Sequence, residues 1–279
     1  MPVRAPGRPP IVLLTDFGYA DHYAGVMKGV IAAIAPSAAV LDLTHGVPAQ
    51  AVSVGALLLR QSWKYFPPKT IFAAVVDPGV GTKRRAIAVE TKAGARFVGP
   101  DNGLLWPAVQ EAGLVRATEL SNPRYHLGRV SSTFHGRDVF APAAAHLWCG
   151  ARLGAMGPRI SGIMPLTERE VIERERELMG TVVHVDGFGN LITNLERDRV
   201  ERFAARFPTR QLLVRIGRSA PMEIRRAYGD ASKGTALATF GSFETLEIAV
   251  REASAALRFN AGVGVSVRVA PKGSHPAIR

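Results

Sequence analysis

Three short apolar runs, each delivering polar residues at its end and each separated by a helix's length of chain, constrain this sequence more than any other feature. Ile11-Val-Leu-Leu14 stops at Thr15-Asp16-Phe17-Gly18, Val40-Leu-Asp-Leu43 stops at Thr44-His45-Gly46, and residues 71–76 stop at Asp77-Pro78-Gly79. Continuous apolar runs of this length suit strands buried on both faces. Between them, residues 23–34 and 51–65 carry helical apolar spacing, closed by Pro36 and by Pro67-Pro68. Such alternation implies right-handed crossovers and a mostly parallel sheet flanked by helices, a Rossmann-like α/β architecture. Further strands are expected at 86–90 and 96–98, and a helix over 138–147.

The texture changes after residues 165–178, a charged stretch that reads as a connector. Residues 182–192, 212–216, 222–224, 236–240, 246–250 and 263–269 are short strand-like runs separated by Gly, Pro and Asn turns. They predict a smaller C-terminal antiparallel β domain or barrel. The expected division is 1–170 for the α/β domain and 171–279 for the β domain. With 47% hydrophobic residues the chain can bury a core without disulfide or metal staples.

The formal charge is +12, which suggests attraction to polyanions. Its densest stretch, 197–226, interleaves nine arginines with Asp198, Glu201 and Glu223. A solvated face explains this better than a nucleic-acid groove, and three Trp and five Tyr are too few for a stacking surface. Cys149 stands alone, so there is no intramolecular disulfide and no cysteine metal framework. Residues 1–10 hold no apolar stretch of the signal-peptide kind, and the most apolar segments are interrupted by Lys28 and Pro36. The expectation is a cytoplasmic protein without a membrane span.

Ligands of open α/β sheets bind beyond the carboxyl ends of the strands. Those ends carry Asp16, His45 and Asp77. Asp21 follows Asp16 at the start of a helix, where it could equally serve as a cap. Residues 77–85 combine a carboxylate, glycines and adjacent Arg84 and Arg85, but the spacing is not that of a Walker phosphate loop. His135, in Thr133-Phe-His-Gly-Arg-Asp138, could join Asp77 and Arg84 as a titrating trio. No H-E-x-x-H or comparable spacing supports a metal site. In the second domain, Asp186-Gly-Phe188-Gly-Asn190 reads either as a tight hairpin turn or as a platform on which Phe188 stacks a planar ring while Asn190 meets a base edge.

Five segments in register, Thr15-Asp-Phe-Gly18 with Asp21, Val76-Asp-Pro-Gly-Val-Gly-Thr82 with Arg84, Gly99-Pro-Asp-Asn-Gly103, Thr133-Phe-His-Gly-Arg-Asp138 and Asp186-Gly-Phe-Gly-Asn190, resemble the S-adenosylmethionine hydroxide adenosyltransferase family. Its members are adenosine-forming S-adenosylmethionine hydrolases related to S-adenosylmethionine-dependent fluorinases and chlorinases. The resemblance implies hydrolysis of S-adenosyl-L-methionine to adenosine and L-methionine, with no metal and no further cofactor. It implies a homotrimer with sites at subunit interfaces, and a trio of Asp77, Arg84 and His135. Asp16 would hold the ribose hydroxyls, Asp21 and Asp186 the methionine ammonium, and Phe188 with Asn190 the adenine. The halogenating relatives have Tyr at the position of Asp77 and Tyr–Ser at His135–Gly136, so the sequence falls on the water-using side. Two departures stand out. A Ser-x-Gly-Tyr-Leu-Glu stretch is here Ser242-Phe-Glu244-Thr245-Leu-Glu247, which keeps Ser242 for the methionine end but loses the glycine. Gln50 also replaces the halogenase Trp.

The chemistry asks little of an acid, because the sulfonium departs as a neutral thioether. The difficulty is the nucleophile. Holding a water in line with the C–S bond supplies up to about 7–11 kcal/mol, and a base adds a factor of about 10²–10⁴. Asp77 could take the proton directly or through His135, while Arg84 could hold either the carboxylate or a hydroxide. The alternatives are a halide-using enzyme or, in a different class, a basic nucleic-acid-binding protein.

Overall fold

The computed structural model describes residues 8–167 and 169–273. Most of the N-terminal segment 1–10 therefore lies outside the described residues. The chain forms two units, Met1–Thr167 and Glu168–Arg279.

The first unit runs β1 (Ile11–Thr15), α1 (Tyr23–Ile34), β2 (Val40–Thr44), α2 (Val52–Ser62), β3 (Ile71–Val75), β4 (Ala86–Thr91), β5 (Arg96–Pro100), α3 (Trp106–Ala112), β6 (Leu114–Glu119), α4 (Ala141–Trp148) and β7 (Arg159–Ile160). The strands form one sheet in the order β2-β1-β3-β5-β4-β6-β7. β2, β1, β3 and β5 pair in parallel, and β4 runs antiparallel to both β5 and β6, so five of the seven strands share one direction. The α/β architecture is therefore as expected. Every residue of β1 and β3 is buried, because each face of the sheet is covered. Leu13, Ala73 and Val75 pack under Met27 and Ile31 of α1 and the alanines of α4. Leu14, Phe72 and Ala74 pack under Leu59 of α2 and Val109 of α3.

The chain leaves β1 to one side through α1 and returns to its other side through α2. Order β2-β1-β3 therefore puts a topological switch point between β1 and β3, where the loops diverge and open a crevice. Asp16 and Asp77 follow those two strands. The helix expected over 138–147 is α4, preceded by a single π-helical turn at Gly136–Phe140; such turns often mark functional sites.

The second unit runs β8 (Ile172–Glu173), β9 (Leu178–Val185), β10 (Leu191–Glu196), α5 (Arg197–Ala204), β11 (Leu212–Ile216), β12 (Met222–Glu223), β13 (Ala236–Phe240), β14 (Thr245–Val250), α6 (Ala255–Phe259) and β15 (Ser266–Pro271). Seven strands are ordered β12-β11-β15-β9-β10-β14-β13, with β8 added against β9. All their pairings are antiparallel. The two ends of this sheet meet where Ile224 bridges Ala238 and the Arg225 amide donates to the Ala238 carbonyl at 2.8 Å. The sheet thus nearly closes into a barrel around Leu191, Val214, Ile248, Val267 and Val269.

Two local readings change. Residues 182–192 are not one run but two strands, broken at 186–190 by the hairpin. The stretch 165–178 is not all connector, since β8 lies within it. The dense arginine stretch contains α5, whose Val200 and Phe203 reach the barrel core. Arg197, Arg199, Arg206 and Arg225 from that stretch each pair with a glutamate.

Candidate active site

The crevice at the switch point is a cleft of about 410 Å³, with Asp16, Gln50, Asp77, Thr133, Phe134 and His135 among its lining residues. Its floor is the end of β3. The Asn102 side-chain amide donates to the Val76 carbonyl at 2.9 Å, which pins the chain immediately before Asp77. Gly99 beside it must be glycine, because a Cβ there would lie 2.3 Å from the Ala74 carbonyl oxygen. Asn102 belongs to a segment recognised in the sequence, yet its supporting role was not legible there.

The trio comes together. Arg84 Nε donates to Asp77 Oδ1 at 3.0 Å, and its Nη2 donates to Asp77 Oδ2. The same Nη2 lies 3.1 Å from His135 Nδ1. The Arg84 guanidinium also sits 5.4 Å over the Phe140 ring, and its Nη1 is buried with no acceptor among the described residues. Both side chains of the Arg84–Asp77 pair are buried. Burial pushes the Asp77 carboxyl above its ordinary value, against the pull of Arg84 and His135. Burial and the Arg84 charge push the His135 imidazole below its ordinary value, with Asp77 and Asp138 pulling the other way.

The loop carrying His135 is held from beneath. Asp138 is fully buried; it takes the Ser131 amide at 2.8 Å and pairs with Arg137, Nε to Oδ1, at 2.6 Å. The turn 77–84 packs against the same loop so closely that a Cβ on Gly81 would lie 2.4 Å from the Ser132 carbonyl oxygen. Phe17, Tyr23 and Phe134 form an aromatic wall, with ring centroids 5.1–5.7 Å apart. Asp16 lines the cleft, and its Oδ2 accepts the Gln50 amide at 2.8 Å. Asp21 is exposed and outside the cleft lining. It does not cap α1, whose N-cap is His22 without a side-chain bond.

In the second unit, Asp186, Phe188 and Asn190 share one tight turn. Asp186 Oδ1 accepts the Phe188 amide at 2.9 Å and the Asn190 amide at 2.8 Å, and Oδ2 accepts the Asn190 side-chain amide at 2.9 Å. The turn and the platform are thus one object: the bonds that shape it leave Phe188 83% exposed. Ser242 is exposed in the β13–β14 hairpin. Beneath that hairpin the buried Glu247 accepts the Tyr228 hydroxyl at 2.6 Å, a pairing the sequence did not suggest. Burial raises both groups above their ordinary values. Among the described residues no group of three or more His, Cys, Asp or Glu is placed to hold a metal ion. No helix among them is long and apolar enough to cross a membrane.

The model of the SAM hydroxide adenosyltransferase N-terminal domain matches residues 11–157, and that of the C-terminal domain matches residues 180–268. The chain belongs to this family. It is 38% identical over 272 residues to an (R)-S-adenosyl-L-methionine hydrolase of Thermus thermophilus, covering 93% of this chain and 99% of that one. A hydrolase of the same name from Salinispora tropica is 38% identical over 264 residues, covering 94% and 97%. A solved structure of an uncharacterised conserved protein from Thermotoga maritima superposes with a TM-score of 0.87 at 37% identity, covering 93% of this chain and 99% of that one. Fluorinases align over nearly the whole chain at only 26%, 29% and 30% identity. The family agrees with the sequence reading, and the hydrolases stand nearer than the halogenating relatives.

Proposed function

We infer that the chain hydrolyses S-adenosyl-L-methionine to adenosine and L-methionine, by attack of an activated water at the ribose C5′. The observation that carries this reading is the hydrogen-bonded line Asp77–Arg84–His135 at the edge of the cleft that Asp16 also lines.

The direction of that line supports one division of the parts. A guanidinium only donates, so His135 Nδ1 must accept, and a neutral His135 then carries its proton on Nε2. His135 in this arrangement has no basic nitrogen to offer. Asp77 does have acceptor capacity, since Arg84 uses only part of its lone pairs, and its raised affinity for protons suits a base. Asp77 takes a proton from the water as the O–C5′ bond forms. The C5′–S bond breaks with its electron pair passing to sulfur, which leaves as neutral methionine. Arg84 Nη1, buried without an acceptor, offers its proton to the developing hydroxide.

Substrate recognition is proposed as the resemblance implies. Asp16 takes the ribose hydroxyls, Asp21 and Asp186 the ammonium, Phe188 and Asn190 the adenine, and Ser242 the methionine end. No cofactor takes part. A homotrimer in the cytoplasm, in which a neighbouring copy completes each site, belongs to the same proposal, with light scattering on the purified chain as its check.

The test is incubation of chelator-treated protein with S-adenosylmethionine, with and without chloride, and chromatography of the products. Adenosine and methionine in both samples support the reading. A 5′-chlorinated nucleoside in the chloride sample favours halogenation, and intact substrate in both overturns it.

A further inference from the structure

One polar line in the first unit, buried at its Thr15–His45 end and open to solvent at Asp42 and Lys28, takes no part in the trio. Thr15 and His45 are both fully buried. Thr15 Oγ1 accepts the Phe17 amide at 3.2 Å and lies 2.8 Å from His45 Nδ1. His45 Nε2 lies 3.1 Å from Asp42 Oδ1, and Asp42 Oδ2 accepts Lys28 Nζ at 2.6 Å.

Lys28 fixes Asp42 as an acceptor. His45 Nε2 lies beside Asp42 without a formed hydrogen bond, so the bond that ties the imidazole to its surroundings is the one between Nδ1 and the Thr15 hydroxyl. The main chain reinforces that tie. The His45 carbonyl accepts the Gly18 amide at 2.8 Å, and the Thr15 carbonyl accepts the Val47 amide at 3.4 Å. Segments 15–18 and 45–50 are thereby clamped to each other, with Asp16 between the clamps. At the far end of the second segment Gln50 holds φ +63°, an unfavourable conformation for a residue with a side chain, and spends it on presenting its amide to Asp16 Oδ2. Oδ2 is oriented by that bond, which turns Oδ1 to a fixed place for a ligand.

We propose that His45 is a positioning residue for substrate binding, which fixes the Asp16 carboxylate through Thr15, Gly18 and the segment leading to Gln50. The proposal rests on the reading of Asp16 as the ribose-binding carboxylate. It differs from a purely stabilising role for a buried histidine in the readout it predicts: binding of the substrate, not only the melting temperature.

His45→Asn keeps an acceptor where Nδ1 stood, whereas His45→Gln keeps only the Asp42 end. KM for S-adenosylmethionine is expected to rise about tenfold in His45→Gln, the loss of one positioned hydrogen bond, with kcat little changed. His45→Asn should stay near the parent value. Adding His45→Gln to Asp16→Ala should raise KM no further than Asp16→Ala does by itself. Parent-like KM in His45→Gln, when Asp16→Ala raises it, overturns the proposal and leaves the reading of Asp16 standing. Parent-like KM in Asp16→Ala overturns that reading and the proposal with it. Should the His45 variants not fold, Thr15→Val removes the hydroxyl from the same line at nearly constant volume, and an unchanged KM there overturns the proposal equally.

Discussion

Glu244 stands at φ +60° in the β13–β14 hairpin, and Arg197 holds it at both ends. The Arg197 amide donates to the Glu244 carbonyl at 2.8 Å, and its guanidinium pairs with the Glu244 carboxylate. This is the position at which the family pattern Ser-x-Gly-Tyr-Leu-Glu has glycine. The left-handed backbone that a glycine permits is therefore kept without one, which answers what the departure at Ser242-Phe-Glu244 left open.

The cost of that conformation to a side chain, about 1–2 kcal/mol, is offset by an exposed ion pair contributing at most about 1 kcal/mol. Glu244→Gly should thus be as stable as the parent within about 1 kcal/mol. Glu244→Val, β-branched and without the carboxylate, should be destabilised by about 2 kcal/mol. Denaturant midpoints at constant m-value decide the matter; equal midpoints for the two variants would show that the left-handed backbone does not set the energy here.

The second prediction concerns the trio. Asp77→Ala removes the base and leaves Arg84 without its carboxylate, and His135→Ala removes the acceptor that orients Arg84 Nη2. Each should lower kcat by about 10²–10⁴ while KM changes little, since neither is proposed to hold the substrate. Steady-state kinetics of both variants check this, and parent-like turnover in both would remove the trio from the mechanism.

Activity should fall on the acid side through a single group. Asp77 works ionised, and burial raises its value above 3.8, so the carboxylate is lost as pH falls through a point higher than an ordinary aspartate's. His135 works neutral, and burial together with the Arg84 charge lowers its value below the ordinary 6.5, which favours the uncharged form at neutral pH. Plotting kcat/KM against pH should therefore give a plateau near neutrality and a fall on the acid side. A His135→Asn variant should keep the midpoint of that fall at reduced rate, while a midpoint that moves or vanishes in it would make His135 the titrating group.

The strands that build the site were legible because burial on both faces leaves almost no polar position to confuse the pattern; β3 is apolar throughout and β1 is apolar up to Thr15 for that reason. Asp16, Asp77 and His135 followed, since each stands just beyond a strand or at a helix start. Less was visible where the signal is tertiary. α5 shows only Val200 and Phe203 among charges, and it is a helix because those two reach the barrel core. β6 buries only Ala117 and Thr118 of its six residues, too little apolar surface for its pattern to stand out. Asn102 under Val76, Tyr228 on Glu247 and Arg197 on Glu244 join residues 19 to 47 positions apart. No local pattern encodes such pairs.

Gly136 sets a steric limit beside the trio. A Cβ there would lie 3.1 Å from Phe134 Cε2, 3.2 Å from Met27 Sδ and 3.4 Å from Phe17 Cζ. Gly136→Ser, which introduces the residue the halogenating relatives carry, should cost about 1–3 kcal/mol of stability through overpacking and lower kcat by shifting His135. It should not confer use of chloride. A variant as stable and active as the parent would show that the aromatic wall yields freely.

The last prediction separates two duties of Asp186. Its carboxylate accepts three hydrogen bonds from its own turn, and the same carboxylate is proposed to face the methionine ammonium. Asp186→Asn keeps an oxygen for the Phe188 and Asn190 backbone amides and removes the charge, while its new NH2 is met by the Asn190 side chain once that amide turns its oxygen inward. Its melting temperature should stay close to the parent's, whereas KM should rise about tenfold, the measure of one charge-assisted contact. Asp186→Ala loses the turn as well, so the platform under Phe188 goes with it; KM should rise further and stability should fall by about 1–3 kcal/mol as the turn amides lose their acceptor. Calorimetric binding with paired melting curves reads both quantities. If Asp186→Asn bound S-adenosylmethionine as the parent does, the carboxylate would serve the turn alone, and Asp21 would be left to carry the ammonium.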